Sequence, residues 1–428
     1  MKTKMKIKMK TNMKTNMKTK IKTKMNMKGG RFLGEGSYGC VVKPAIPCNL
    51  KYNKYSKYNK YSKNASSIYS NSGSSTKINK DSISKIIISP DEDFKQEVNI
   101  SYRISSLDPH QKYFITFDNV CPITKILENR SDIVSVKYID ESRDEWRELE
   151  RKKKDKTYCP VDLKLKPMNL IMEFGGYDLF NLLNKKDDPQ FILIKKMLFV
   201  NFKECFKNLV KALYKLHQNR IVNRDIKEEN IIVNYNEKTK SSIMRFIDFG
   251  LSEHLTTEHC SKHSNINFRG TPDLIPPEII IADLINDKHK YKVSDSILLY
   301  NIQKQTNKYC KKMLTFLGET ELVNKINNII HDEFIKISDE FKHKQILTKF
   351  FGTPKDRFNG YLQKADVYAL GISMYNFLEL SREKKHYPNL IINVKKDIKL
   401  HNLLKHMIEL NTDSRYNIID CLKHPYFK

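Results

Sequence analysis

The chain lacks clustered cysteine, long apolar runs and, over two stretches, any acidic residue at all. Its eight Cys come no closer together than Cys40 and Cys48, and none forms a Cys-x-x-Cys pair. Neither a zinc ribbon nor a dense disulfide framework is indicated, and reduced thiols in a cytosolic compartment are expected. No apolar run approaches the roughly 18 residues needed to span a bilayer, and the basic N-terminus has no apolar core of the signal-peptide kind. A soluble, cytoplasmic protein without a membrane span is therefore expected.

The missing acid is local. Residues 1–28 hold eleven Lys and residues 43–80 hold eight, with no Asp or Glu in either, so +19 of the net +28 sits in these two segments and +9 is left for the rest. A basic excess points to nucleic acid, acidic proteins or anionic surfaces, but here the excess belongs to low-complexity sequence. The opening MKTKMKIKMKTNMK has almost nothing to bury, so residues 1–28 are expected to form a disordered tail. That tail is a candidate for weak contact with nucleic acid or an acidic surface. The run KYNKYSKYNKYSKNASS falls in a low-complexity insertion, 48–78, between two apolar segments. ESRDEWRELERKKKDK, 141–156, reads as an exposed charged helix inserted before the next strand.

The rest of the chain is organised around IVNRDIKEENIIV, Ile221 to Val233, with IDFGL at Ile247 to Leu251. Apolar runs flank a charged cluster, the pattern of a turn held between short strands with its polar groups aimed into a cleft. Phosphoryl transfer needs a carboxylate to orient the attacking hydroxyl, a cation near the moving phosphate and oxygen ligands for magnesium. Asp225, Lys227, Asn230 and Asp248 supply these groups, with Asp225 and Asp248 23 residues apart. In this order and spacing they resemble the catalytic loop and Asp-Phe-Gly segment of the eukaryotic protein-kinase family.

The resemblance extends along the chain from about residue 30 to 428. RFLGEGSYGCVVKP matches the family's glycine-rich loop, with Gly34, Gly36 and Gly39 letting backbone approach ATP phosphates and Val41 packing on adenine. Lys85 stands at the place of the strand lysine that pairs with the phosphates. Glu97, on an amphipathic pattern of Phe94, Val98, Ile104 and Leu107, is its expected ion-pair partner. NLIMEFGGYDLF resembles the hinge: Met172 as gatekeeper, Glu173 to Gly175 as the backbone facing adenine, Asp178 as the ribose contact. Ile232 is placed with these nucleotide contacts.

Several departures accompany the match. The family's catalytic-loop His is Asn223, and RGTPDLIPPE keeps Gly270, Thr271, Pro277 and Glu278 but has Leu274 and Pro276 where the family has Tyr and Ala. Thr271 together with Lys227 marks the serine/threonine branch. Between Gly250 and Gly270, Ser252, Thr256, Thr257, Ser261 and Ser264 resemble an activation loop whose phosphate Arg224 would receive. His254, His259, Cys260 and His263 in the same segment match no nameable metal site. The C-lobe core Asp, Asp366, comes 88 residues after Glu278, which leaves a helical insertion at 280–360. Arg415 matches the buried arginine that pairs with Glu278.

These matches imply an α+β bilobal protein-kinase fold over 29–428: an N-lobe, 29–175, of five antiparallel strands and one helix, and a mainly helical C-lobe, 176–428. They imply ATP and Mg²⁺ as cofactors and Ser or Thr hydroxyls of proteins as acceptors. Asp225 and Lys227 would act on the reacting groups, and Asn230 and Asp248 would hold the metal. A pseudokinase scaffold that binds nucleotide or partners without transfer is the alternative. In style, the Lys- and Asn-heavy runs resemble the divergent kinases of giant DNA viruses or of a host with an AT-rich genome.

Overall fold

The computed structural model describes residues 30–36, 39–48, 81–88, 90, 92–125, 130–135, 158–184, 189–255, 270–271, 274–276, 279, 300, 304, 357–383, 392, 394, 396–409 and 412–428. The tail at 1–28, all but the first residue of the insertion at 48–78, the charged segment at 141–156 and nearly all of 280–360 lie outside them. So do Thr256, Thr257, His259, Cys260, Ser261, His263, Ser264, Pro277 and Glu278.

The chain divides into two compact units, Met1–Asp91 with Phe117–Phe174 and Glu92–Thr116 with Gly175–Lys428. The first is built on strands β1 (Arg31–Gly36), β2 (Gly39–Lys43), β3 (Ser82–Ile87), β4 (Phe117–Pro122), β5 (Ile133–Ser135), β6 (Cys159–Val161) and β7 (Met168–Glu173). Five of them form one antiparallel sheet in the order β1-β2-β3-β7-β4, as expected from the sequence. Side chains alternate between the faces of a sheet, and the register makes that alternation functional. Val41 lies opposite Lys85, and Ile83 opposite Met172, so all four share one half-buried face. On the other face Cys40, Val42 and Ile86 join Ile46, Ile123, Ile133, Cys159 and Val161 in the core of this unit.

Two covalent links tie this unit together, one of them inside that core. Cys40 is joined to Cys159 and Cys48 to Cys121, each pair with Cα atoms 5.8 Å apart. The expectation of reduced thiols is thereby corrected for four of the eight Cys. Spacing along the chain carried no sign of these pairs because the partners are 119 and 73 residues apart and meet only through the folding of the sheet. Cys205 and Cys421 are free and buried. Burial pushes the Cys205 thiol up to about 12 and raises that of Cys421 as well, so both behave as small apolar core residues. A buried pair also supports β5 and β6, which run parallel. Arg130 donates through Nε and Nη2 to the two oxygens of Asp132, both at 2.7 Å, and through Nη1 to the Pro44 carbonyl at 2.9 Å.

The second unit begins with α1 (Glu92–Leu107) and continues through β8 (Tyr177–Asp178), α2 (Leu179–Asn184), α3 (Pro189–Val200) and α4 (Phe202–Gln218). Next come β9 (Ile221–Val222), β10 (Ile231–Asn236), β11 (Ser241–Phe246) and β12 (Glu253–His254), then α5 (Arg357–Glu383), α6 (Ile398–Met407) and α7 (Ile418–Lys423). Phe202, Phe206, Leu209, Val210, Leu213 and Leu216 recur at helical spacing, and all are buried on one face of α4. They pack with Val367, Leu370, Met374 and Phe377 of α5 and with Leu400, Leu403 and Leu404 of α6. Phe377 stacks on both Phe199 and Phe202, with ring centroids 5.3 and 5.8 Å apart. Helix α7 is closed at its N-terminus by a capping box of Asn417 and Asp420. Arg415 is 1% exposed and donates from Nε to the Glu409 carbonyl at 2.7 Å; its expected partner, Glu278, lies outside the described residues.

Candidate active site

The apolar segments Ile221–Val222 and Ile231–Val233 are buried, which anchors both ends of the turn between them. The turn itself is held by one carboxylate from α5. Asp366, 2% exposed, accepts the N–H of Asn223 at 2.8 Å on Oδ2 and the N–H of Arg224 at 2.8 Å on Oδ1. The ring Nε2 of His217, at the end of α4, lies 3.1 Å from the same Oδ2. Arg224 has φ of 66°, a left-handed conformation that an ordinary residue keeps only where its surroundings over-determine it. Asn223 adds a further restraint. Its Oδ1 accepts the N–H of Asp225 at 3.0 Å, an Asx-type bond that closes the turn locally, while its Nδ2 is buried without a partner.

At the head of this turn, three side chains converge on one carboxylate. Asp225 Oδ1 accepts from the Thr271 hydroxyl at 3.0 Å; Oδ2 accepts from Asn230 Nδ2 at 2.8 Å and pairs with Lys227 Nζ at 2.8 Å. Asn230 reaches the site because a short 3₁₀ turn, Glu228–Asn230, folds it back over the turn, where Nδ2 also donates to the Asp225 carbonyl at 2.9 Å. Gly270 is required beside Thr271: its φ is +124° and a Cβ would stand 2.5 Å from the Arg224 carbonyl. Catalytic-loop and Gly-Thr residues that are more than 40 positions apart thus share one hydrogen-bonded centre.

The Asp-Phe-Gly segment follows β11 directly. Asp248 has φ of 59°, and Phe249, 2% exposed, packs edge-on to Phe114 at 5.8 Å. Ser252 is fully buried and its hydroxyl donates to the Asn223 carbonyl at 3.0 Å, so it braces the turn from below. Sequence reasoning also missed Glu253. Strand β12 pairs with β9, placing Glu253 opposite Val222, and its Oε2 is 2.7 Å from Arg224 Nη1. No local signal joins residues 29 positions apart; the two-stranded pairing creates the contact.

Of the expected nucleotide contacts, Gly34 and Gly36 lie on β1, Gly39 and Val41 on β2, Lys85 on β3, and Met172 and Glu173 on β7. A Cβ on Gly39 would collide with the Ile86 carbonyl, so strand packing demands this glycine independently of any ligand. Glu97 lies in the second unit on α1, 6% exposed. There Gly175, Asp178 and Ile232 come together: Ile232 is opposite Asp178 in the β10–β8 pair, and a Cβ on Gly175 would meet the Ile232 side chain. Both Asp178 oxygens accept from Asn181, each at 2.7 Å, which makes Asp178 the cap of α2 as well.

The donors suit a hard cation. Asn230 spends its amide nitrogen on Asp225 and presents its carbonyl oxygen, and Asp248 adds a carboxylate. Magnesium takes such oxygen ligands in small number, with waters and substrate phosphates completing the shell. Among the described residues no group of three or more His, Cys, Asp or Glu gathers as a closed cage would require. His254 is on β12, and the other members of its sequence cluster lie outside the described residues.

The five-stranded sheet stands in the first unit and the hydrogen-bonded turn around Asp225 in the second. A sequence model described as the protein kinase domain matches residues 124–427, and the chain belongs to the protein kinase family. Its fold is the α+β bilobal protein-kinase fold. It is 25% identical over 210 residues to the probable serine/threonine-protein kinase fhkD of Dictyostelium discoideum (44% of this chain, 25% of that protein). It is 24% identical over 210 residues to the serine/threonine-protein kinase fused of Drosophila melanogaster (46% and 24%) and 29% identical over 180 residues to myosin light chain kinase 2 of Bos taurus (40% and 25%). The chain thus spans about a quarter of the length of these relatives. The family match begins at residue 124, after the glycine-rich hairpin, Lys85 and Glu97. Among the described residues no helix is long and apolar enough to cross a membrane.

Proposed function

We propose that this protein transfers the γ-phosphate of ATP to Ser or Thr hydroxyls of protein substrates. The observation that carries the reading is the convergence of Thr271, Asn230 and Lys227 on the Asp225 carboxylate. Phosphoryl transfer needs little covalent chemistry from the protein and much positioning. Asp225 orients the acceptor hydroxyl and receives its proton, and Thr271 fixes the carboxylate's rotamer. Lys227, paired with Asp225 at 2.8 Å, would stabilise negative charge on the moving phosphoryl group. Asn230 and Asp248 would hold Mg²⁺, which supplies charge neutralisation across the phosphates when bound. Lys85, with Glu97, would anchor the α- and β-phosphates; Gly34, Gly36, Gly39, Val41, Met172, Glu173, Gly175, Asp178 and Ile232 would enclose the nucleotide. The tail at 1–28 and the insertions at 48–78 and 280–360 are read as additions to a kinase domain at 29–428.

Transfer of radiolabel from γ-labelled ATP to a mixed protein substrate tests this. Label on Ser and Thr that requires Mg²⁺ and vanishes in Asp248→Asn is the expected result. No transfer under any condition, with nucleotide still bound, would replace this reading with a pseudokinase scaffold.

A further inference from the structure

The Arg224–Glu253 pair joins the two segments that must be aligned for the chemistry proposed above. Arg224 directly precedes Asp225, and its side chain is 8% exposed. Glu253 lies three residues beyond Gly250, on a strand whose register with β9 is fixed on both sides. Val222 lies opposite it, His254 is opposite Ile221, and the next N–H, from Leu255, donates to the Arg220 carbonyl at 2.7 Å. Glu253 is thus aimed at Arg224 by backbone pairing, and the bond needs no loop to fold over it. Ser252, immediately before it, grips the Asn223 carbonyl from a fully buried position. Two successive side chains after the Asp-Phe-Gly segment therefore clamp two successive residues before Asp225.

The charge balance follows from that geometry. A guanidinium beside a catalytic turn can be held by a carboxylate or by a phosphate added later. Here a carboxylate of the chain itself is already in place at 2.7 Å. A phosphate brought to the same guanidinium would approach Glu253 as well, and like charges at contact distance repel, the more so where the site is partly desolvated.

We propose that Glu253 is a positioning residue that substitutes for a loop phosphate: it holds Arg224, and with it the turn carrying Asp225, so that transfer does not wait for phosphorylation between residues 251 and 270. This rests on the transferase reading above.

The test uses the full chain, treated with a broad Ser/Thr phosphatase and shown by intact mass to carry no phosphate. It is compared with the combined variant Thr256→Ala, Thr257→Ala, Ser261→Ala and Ser264→Ala, which leaves only the fully buried Ser252 as a hydroxyl residue between 251 and 270. Both are expected to keep kcat on a peptide substrate within about twofold of the untreated protein, while Glu253→Gln lowers kcat about tenfold with the KM for ATP within about twofold. Glu253→Asp, which keeps the charge on a shorter arm, should recover part of that loss, and kcat is compared at temperatures well below each variant's Tm so that loss of folded protein is not read as loss of turnover. The proposal is overturned if the dephosphorylated protein is at least tenfold slower and regains activity on treatment with an added kinase, or if Glu253→Gln leaves kcat unchanged. Absence of transfer in every form, before and after such treatment, overturns the transferase reading itself and this proposal with it.

Discussion

Asp366→Asn is the substitution that asks most of the structure. The carboxylate takes two backbone N–H groups, one on each oxygen, and the ring of His217 shares Oδ2. An amide of the same shape can accept on one side only. If its nitrogen replaces Oδ2, it faces the N–H of Asn223, donor against donor, in a site where Asn223 is 1% exposed. If it replaces Oδ1, it faces the N–H of Arg224, and the left-handed backbone of that residue loses the bond that over-determines it. Hydrogen bonds to a charged acceptor are worth about 1.5–3 kcal/mol each, against about 0.5–1.5 for neutral ones, and a buried orphan costs about 1–3 more. With one bond lost and the others weakened, the total is about 3–5 kcal/mol, the range found when a buried network is broken from one side. At about 2–4 °C per kcal/mol for a unit of this size, Tm should fall by about 6–20 °C. Turnover should fall with it, because Asp225 is carried by the same turn. Thermal unfolding followed by circular dichroism, with peptide phosphorylation measured well below the new Tm, checks both. A Tm within about 2 °C of the parent with kcat unchanged would show that Asp366 is not what holds the turn.

Asp225→Asn should cost on the order of 10² to 10⁴ in turnover and leave ATP affinity within a few-fold; equal loss of nucleotide binding, by calorimetry, would remove its role at the acceptor hydroxyl. Deleting residues 1–28 should leave peptide phosphorylation nearly unchanged but lower retention on heparin at low salt, since eleven Lys are lost, and equal retention would leave the tail passive. His424 should make stability sensitive to acid. Burial first, and His406 second, hold its pKa below the ordinary histidine value, and Nδ1 accepts the Tyr426 N–H at 3.2 Å while Nε2 lies 3.0 Å from Asn402 Oδ1. The unfolded chain therefore takes the proton first as pH falls through about 6.5, and Tm should decline from there downward. His424→Gln should flatten that decline, and an unchanged profile in the variant would assign the acid sensitivity elsewhere.

The parts of the site that were legible in sequence are those set by short spacing. Asp225, Lys227 and Asn230 lie within one turn, and a turn between two buried apolar segments has few ways to fold. The five-stranded sheet was expected only through the family resemblance; burial along Met168–Glu173 runs on without alternating, so the strands do not announce themselves singly. What sequence did not show are contacts that depend on register between distant segments. Glu253 meets Arg224 only because β12 pairs with β9, and His217 meets Asp366 only because α4 and α5 pack through Phe202 and Phe377. The cysteine pairs were misread for a related reason, since expectation was drawn from linear spacing and the partners, 119 and 73 residues apart, meet only in the folded unit. Asn223 showed in the sequence as a departure from the family's His; the Oδ1 bond to Asp225 and the stranded Nδ2 come from the fold of the turn.

The two cysteine links are nested, the inner joining Cys48 to Cys121 and the outer Cys40 to Cys159. A single proteolytic cut between 49 and 120, a stretch that includes most of the low-complexity insertion, would leave both bonds bridging the break, and a cut between 122 and 158 would leave one. A clipped chain would then run as one species without reductant and as two with it. The long insertion can thus be severed without releasing either half of the first unit, which gives this region a tolerance of damage that its composition alone would not suggest.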